Sequence, residues 1–160
     1  MNELAPHVLN VPAHRLEVRA TIDALEASIK ASIATGELEQ SIFDGGTSEG
    51  SDQCKHYFAQ GVYVRTLLIP AGTVVVGRIH KQSRVCLILT GKCRFVDEYQ
   101  DREVVAPWVG EFEAGSKTAV YAITDTLWAA VVGTDIKDPQ EAFQKLSAGN
   151  HSELLLELKQ

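Results

Sequence analysis

From Cys54 to Thr134 the chain keeps a rhythm that few architectures can accommodate. Runs of β-branched and aromatic residues alternate with turn signals about every eight to twelve residues. The runs are Val62–Ile69, Thr73–Arg78, Val85–Leu89, Cys93–Asp97, Arg102–Ala106, Thr118–Ile123 and Leu127–Val132. Between them stand Pro70-Ala71-Gly72, Lys81–Ser83, Thr90-Gly91-Lys92, Glu98–Asp101, Glu113–Ser116 and Thr124–Thr126. Many short strands with even punctuation predict a sandwich or a small barrel. No helical pattern of useful length interrupts them, which argues against a parallel α/β sheet. Residues 54–134 are therefore read as a β-barrel domain.

The flanks follow another period. In the arm, residues 1–43, apolar Leu16, Ile22, Leu25, Ile29 and Ile33 form one stripe of an amphipathic helix over Ala13–Ala34. Alanines around the stripe raise helix propensity, and Gly36 is the expected stop. Residues 44–53, DGGTSEGSDQ, have the composition of a linker. In the tail, residues 135–160, Asp138-Pro139 reads as an N-cap with proline at the first helical position, opening a helix to about Leu146. Ser152 is the expected cap of a last segment rich in leucine: Leu154, Leu155, Leu156 and Leu158. An arm ahead of a linker, and a tail this apolar, read as contact surfaces for another chain. The interface expected is Leu16, Ile22, Leu25, Ile29, Ile33, Leu154, Leu155 and Leu158.

Charge excludes some functions. Fifteen basic residues against 21 acidic ones give a net charge of −6, a poor match for phosphate backbones, so no direct nucleic-acid partner is expected. No apolar run approaches the ~20 residues that cross a bilayer, and Met1–Val11 lacks the pattern of a secretory signal. Three cysteines, Cys54, Cys86 and Cys93, fit free buried thiols better than a disulfide framework, and no CxxC suggests zinc. The acidic turn around Asp97, Glu98, Tyr99 and Asp101 reads as a solvated hairpin, and Trp108 and Trp128 as packing residues.

The informative segment is Pro70–Phe95, PAGTVVVGRIHKQSRVCLILTGKCRF. It resembles the first motif of the cupin superfamily, Gly-x5-His-x-His-x3-4-Glu-x6-Gly. Gly72, Arg78, His80, Arg84 and Gly91 keep the spacing, but only His80 keeps the chemistry. The second motif, Pro-x-Gly-x2-His-x3-Asn, falls best on Glu113-Ala114-Gly115, with Thr118 at its His and Ala122 at its Asn. The resemblance covers about half of the chain. It implies a mainly β, cupin-like jelly-roll barrel, carrying an N-terminal amphipathic helix and short C-terminal helices. The string HYFAQGVYVR…IPAGTVVVGRIHK…AGSKTAVYAITDTLWAAVVGTD also resembles short cupin-like proteins encoded by bacteriophages and prophages, which implies a viral context.

Cupin metals need lone pairs converging on one point, and arginine has none to give. No metal or other cofactor is expected, and His80 alone would be a weak ligand that reads first as a hydrogen-bonded barrel histidine. Strand alternation would put Arg78, His80, Gln82 and Arg84 on one inward face if the strand ran straight through. Arg78, His80 and Arg84 would then make an anion pocket, unless Glu111, Glu113 or Asp125 neutralised the arginines or their tips reached solvent. Cys86 shares their parity. The expected function is non-enzymatic: a homo-oligomeric phage protein acting by assembly with other virion proteins, as a decoration, connector or tail-associated component in the virion or host cytoplasm. The alternative is a small-molecule-binding or metal-dependent cupin, an enzyme or an anti-defence protein that sequesters a ligand.

Overall fold

The computed structural model describes residues 5–38 and 53–159. The expected linker 44–53 therefore lies outside the described residues, apart from Gln53. The chain opens with α1 (Ala5–Leu9) and α2 (Ala13–Ala34), the latter with the boundaries its stripe predicts. The β domain then runs β1 (Cys54–Ala59), β2 (Val62–Ile69), β3 (Val74–Val76), β4 (Ile79–His80), β5 (Arg84–Thr90), β6 (Lys92–Val96), β7 (Asp101–Val105), β8 (Trp108–Phe112), β9 (Ala119–Ala122) and β10 (Thr126–Gly133). The tail adds α3 (Pro139–Leu146), β11 (Ser147–Ala148) and α4 (His151–Leu158).

All strand pairs are antiparallel. One sheet has the order β1-β2-β10-β5-β8, a second the order β3-β9-β6-β7, and β11 pairs with β4. Neighbours far apart in sequence, such as β2 with β10 and β5 with β8, are the crossings of a jelly roll. The molecule is thus the mainly β jelly-roll barrel expected, with helices before and after it. Its core lies between the two sheets. Phe95 of the four-stranded sheet packs on Trp108, Phe112 and Trp128 of the five-stranded sheet, with ring centroids 5.2–5.7 Å apart. Cys54, Cys86 and Cys93 are buried in the same core.

Three local features explain the frame. Gly91 turns β5 into β6 at φ 88°, and a Cβ there would collide with the carbonyl of Asp125. Strand β8 escapes the rhythm because Gly110 interrupts it; the indole of Trp108 lies across Gly110 in the space a side chain would take. Strand β1 escapes it because Lys55 and His56 dilute the apolar run, yet β1 pairs with β2 along its whole length.

Four expectations need correction. The strand through Arg78 and Arg84 does not run straight: β3 ends at Val76, β4 is two residues long, and a bend at 81–83 precedes β5, leaving Gln82 exposed. The acidic turn is not a solvated hairpin, since Asp97 and Glu98 are buried. Asn150, not Ser152, caps the last helix, its side chain accepting from the N–H of Glu153. Finally, the apolar stripe of α2 splits. Ile22 is buried and Ile29 and Ile33 half-buried, while Leu16 and Leu25 stay exposed at 48% and 39%. Charged groups complete the inner face of α2. Arg19 Nε donates to Glu98 at 2.9 Å, and Asp23 and Glu26 receive Lys117 Nζ at 2.7 and 2.6 Å. The arm is therefore held to its own barrel.

Candidate functional site

The tail closes one mouth of the barrel. Asp138 caps α3 through the N–H of Glu141, and β11 then pairs Ser147 with His80. This lays α3 against β2 and β10, where Tyr63, Val132, Ala142 and Leu146 form a small core. Beneath it is a cavity of about 40 Å³, lined by Tyr63 and Arg65 of β2, Arg78 and His80, Ala130 and Val132 of β10, and Ala142, Phe143, Leu146 and Ser147 of the tail.

The structure brings Arg78 and His80 together here, and adds Arg65, which sequence reasoning missed. The alternation Tyr63, Arg65, Leu67 on β2 carries the signal: Leu67 is in the core, so its inward parity extends to Arg65. Arg78 is held firmly. Its Nε donates to Ser147 Oγ at 2.9 Å, Ser147 Oγ donates to the carbonyl of Phe143, and the guanidinium lies 4.1 Å over the Phe143 ring. Arg84 is buried and sits apart from the cavity lining, donating to Ser116 Oγ at 3.3 Å and Thr118 Oγ1 at 3.1 Å, with Phe112 beneath it. Cys86 is likewise absent from the lining.

The expected neutralisation by Glu111, Glu113 or Asp125 does not occur: none of Arg65, Arg78 and Arg84 is ion-paired to a carboxylate among the described residues. Nor is His80 a hydrogen-bonded barrel histidine, for its ring has no hydrogen-bond partner among the described residues. Burial, and then the charges of Arg84, Arg65 and Arg78, hold its pKa well below the ordinary imidazole value.

These residues do not fit a cupin metal. Arg84 and Thr118 stand at two ligand positions of the resembled motifs and hydrogen-bond to each other, so the first occupies the acceptor lone pair of the second. Among the described residues no three His, Cys, Asp or Glu side chains converge as a metal shell.

The expected interface residues lie apart. Leu154 is fully buried in its own chain against Val8, Ile79, Ala114 and Ala148, with Leu155 and Leu158 packed beside it. This corrects the expectation for Leu154, as burial on the barrel corrects it for Ile22. Leu16 and Leu25 remain accessible, and Ile29, Ile33, Leu155 and Leu158 partly so. A larger apolar surface lies elsewhere, on the outer face of the five-stranded sheet. There Tyr57, Val62, Val64, Leu68, Val85, Leu87, Leu89, Val109, Leu127 and Val131 point away from the core. The registers set them in cross-strand rows, such as Tyr57, Val64, Val131 and Val85.

No family model matches the chain, and no curated protein does. Solved structures of cupin superfamily proteins are similar to part of it. A cupin protein from Bacteroides fragilis is 20% identical, covering 63% of this chain and 91% of its own, with a TM-score of 0.45. A cupin superfamily protein from Desulfitobacterium hafniense is 16% identical, with coverage of 61% and 95% and a TM-score of 0.44. A cupin 2 conserved barrel domain protein from Salinispora arenicola is 14% identical, with coverage of 59% and 83% and a TM-score of 0.44.

Proposed function

We propose that this protein is a non-enzymatic barrel that acts by assembly, and that its copies meet through the outer face of the five-stranded sheet. The observation that carries the reading is the composition of that face. Its charged groups are Lys55, at the β1 edge, and Glu111, at the β8 edge; between them the outward residues are apolar apart from Thr66 and Thr90. Inter-strand spacings of about 4.8 Å and strands of up to eight residues give a face roughly 20 by 25 Å, so that two such faces cover about 1,000 Å² together, the size at which a specific interface begins.

A second copy of the chain suits this surface better than an unrelated partner. When two such sheets stack about a two-fold axis along the strands, the β1 edge of each copy lies over the β8 edge of the other. Each Lys55 then approaches the Glu111 side of its partner, so the two charges sit at the rim and the apolar rows meet at the centre. The arm plays a different part from the one its sequence suggested. It completes the subunit, and the exposed Leu16 and Leu25 on its outer side are left for further contacts.

The particular setting we propose is a phage particle, with the protein as a decoration, connector or tail-associated component. Support for this comes from the resemblance of the sequence to phage-encoded cupin-like proteins. Light scattering on the full chain tests the assembly reading: a mass of two or more subunits is expected at tens of micromolar. A monomer at that concentration sinks it. For the setting, the polypeptide should be found by mass spectrometry in purified particles at many copies; its absence from them sinks that part alone.

A further inference from the structure

The cavity under α3 has a feature that assembly leaves unexplained. Arg65 and Arg78 point into it, Arg84 lies close enough to act on the same imidazole, and no described carboxylate pairs with any of them. Unpaired guanidiniums in a partly closed space are costly, and such groups are ordinarily matched by an anion. Arg78 Nη1 and the Glu153 carboxylate both lie beside Gly149, and that carboxylate is committed elsewhere: it accepts from the N–H of Gly149 at 2.8 Å and from the amide of Asn150 at 3.0 Å.

The polar groups are arranged for a ligand. Ser147 and Phe143 fix Arg78 by its Nε and its face, which leaves the η nitrogens for another acceptor. The Arg65 guanidinium makes no hydrogen bond to a described residue. His80, neutral in the ordinary range, can supply one N–H. The Tyr63 hydroxyl at the wall is bonded to His56 Nδ1 at 2.8 Å. The other walls, Ala130, Val132, Ala142 and Leu146, are apolar. A few convergent donors in an apolar cavity are the usual form of a small-molecule site. About 40 Å³ holds roughly two or three water molecules, the bulk of a carboxyl head, and the cavity is only partly closed, so a short tail can extend along its apolar walls.

We propose that this cavity is a binding site for a short-chain carboxylate, whose carboxyl group is gripped by Arg65 and Arg78 and whose aliphatic tail lies against Val132, Ala142 and Leu146. The guanidinium forks match the two carboxylate oxygens. The apolar walls favour a monoanion with a tail over phosphate, whose additional oxygens would meet no donor there. The site belongs to one chain, so it stands or falls independently of the assembly reading.

Isothermal titration of the full chain with sodium acetate, propionate and butyrate, against sodium chloride at equal ionic strength, tests it. Saturable heat with at least one carboxylate is expected, weakened about tenfold or more in Arg65→Gln and in Arg78→Gln. Arg65→Lys should fall between, because it keeps the charge and loses the fork. If Arg78→Gln fails to fold by circular dichroism, Arg65→Gln decides, since the Arg65 guanidinium bonds to no described residue. Three results overturn the proposal: heats equal to those of chloride, carboxylate affinity within twofold of the parent in Arg65→Gln, or saturable binding of phosphate with none of any carboxylate.

Discussion

The two sheets of the barrel share a core and differ on their outer faces. On the four-stranded sheet the outward residues of β6 and β7 are Lys92, Arg94, Val96, Asp101, Glu103 and Val105; the charged ones form ion pairs, Lys92 with Glu103 and Arg94 with Asp101, and Val74 and Tyr121 of β3 and β9 share the face with them. On the five-stranded sheet the corresponding positions are Val62, Val64, Leu68, Val85, Leu87 and Leu89, with Val109 exposed at 62%. Both faces have the same strand period, so fold alone cannot account for the contrast. An antiparallel sheet facing water alternates apolar with polar, as the first one does. A sheet apolar on both sides is ordinarily covered on both sides, and on this one Tyr57, Leu68, Val85, Leu89 and Val109 stay exposed within the described residues.

The largest expected effect comes from charging the apolar face. Leu87→Lys places an unpaired ammonium near its centre, and in a two-fold assembly it does so once from each copy. Self-association should weaken about 100-fold or more, ~3 kcal/mol, with the monomer's melting temperature little changed. Sedimentation velocity over a concentration series measures it. A Leu87→Lys protein that associates like the parent would remove this face from the account and return attention to Leu16 and Leu25.

A second test separates the arm from the interface. The Arg19 and Glu98 side chains are 9% and 0% exposed, and Arg19 is shared between Glu98 and the carbonyl of His7. Burial would raise the pKa of Glu98, but His151, Arg19 and backbone N–H groups outweigh it and hold the carboxyl below its ordinary value. Arg19→Ala leaves that carboxylate buried with less compensation, and should cost ~3 kcal/mol in urea unfolding. If α2 served a neighbour instead, Arg19→Ala would lower the assembly mass and spare the stability of the monomer.

How much of this was legible in the sequence depends on the kind of cause. Helix α2, the Asp138-Pro139 cap and β2 follow from local pattern, since a stripe, a cap or an alternation is written in neighbouring residues. The cupin spacing of Gly72 and Gly91 was legible for the same reason, because a turn at positive φ is a local demand. The break at 81–83 was legible as the turn signal Lys81–Ser83, whereas the two-residue β4 before it was not, for β4 pairs with β11 arriving from the far tail. The burial of Arg19 was not legible, because a charge within a local pattern predicts water and its partner Glu98 lies 79 positions away. The pocket was half legible. Arg78 and His80 were found by motif spacing, whereas Arg65 lies outside both motifs and reaches the site through the β2–β10 pairing.

The barrel mouth belongs to neither face and should answer to acid alone. His80 is held neutral by burial and by three guanidiniums, so its folded pKa lies below the unfolded value of about 6.5. Below that pH the unfolded chain takes up a proton that the folded one refuses. Stability is therefore full above about 6.5 and falls as the pH drops beneath it, by at most ~1.4 kcal/mol per pH unit for the one proton. Glu98 responds in a lower window, because its depressed carboxyl keeps its contribution until the pH falls below about 4.5. Urea midpoints between pH 7 and 5 measure the upper window. His80→Gln should flatten the slope there, and an unchanged slope would mean that the imidazole already carries its proton in the fold.

The smallest effect is expected from the charged face, and its smallness is the point. Arg94 donates from Nε and Nη2 to both oxygens of Asp101, at 2.9 and 2.8 Å. The geometry is good enough to raise the guanidinium's pKa and lower the carboxyl's. Yet both side chains are more than half exposed, at 57% and 52%, and water and salt screen such a pair. Arg94→Ala should therefore move the urea midpoint less than any substitution above, and leave the mass by light scattering unchanged at every concentration. The contrast between the faces makes this outcome diagnostic. A face built to stay wet loses nothing in association when one of its ion pairs is deleted, whereas a face built to be covered is disabled by a single charge. Dissociation caused by Arg94→Ala would mean that copies meet through the ion-paired sheet, and that the apolar one is covered by something else.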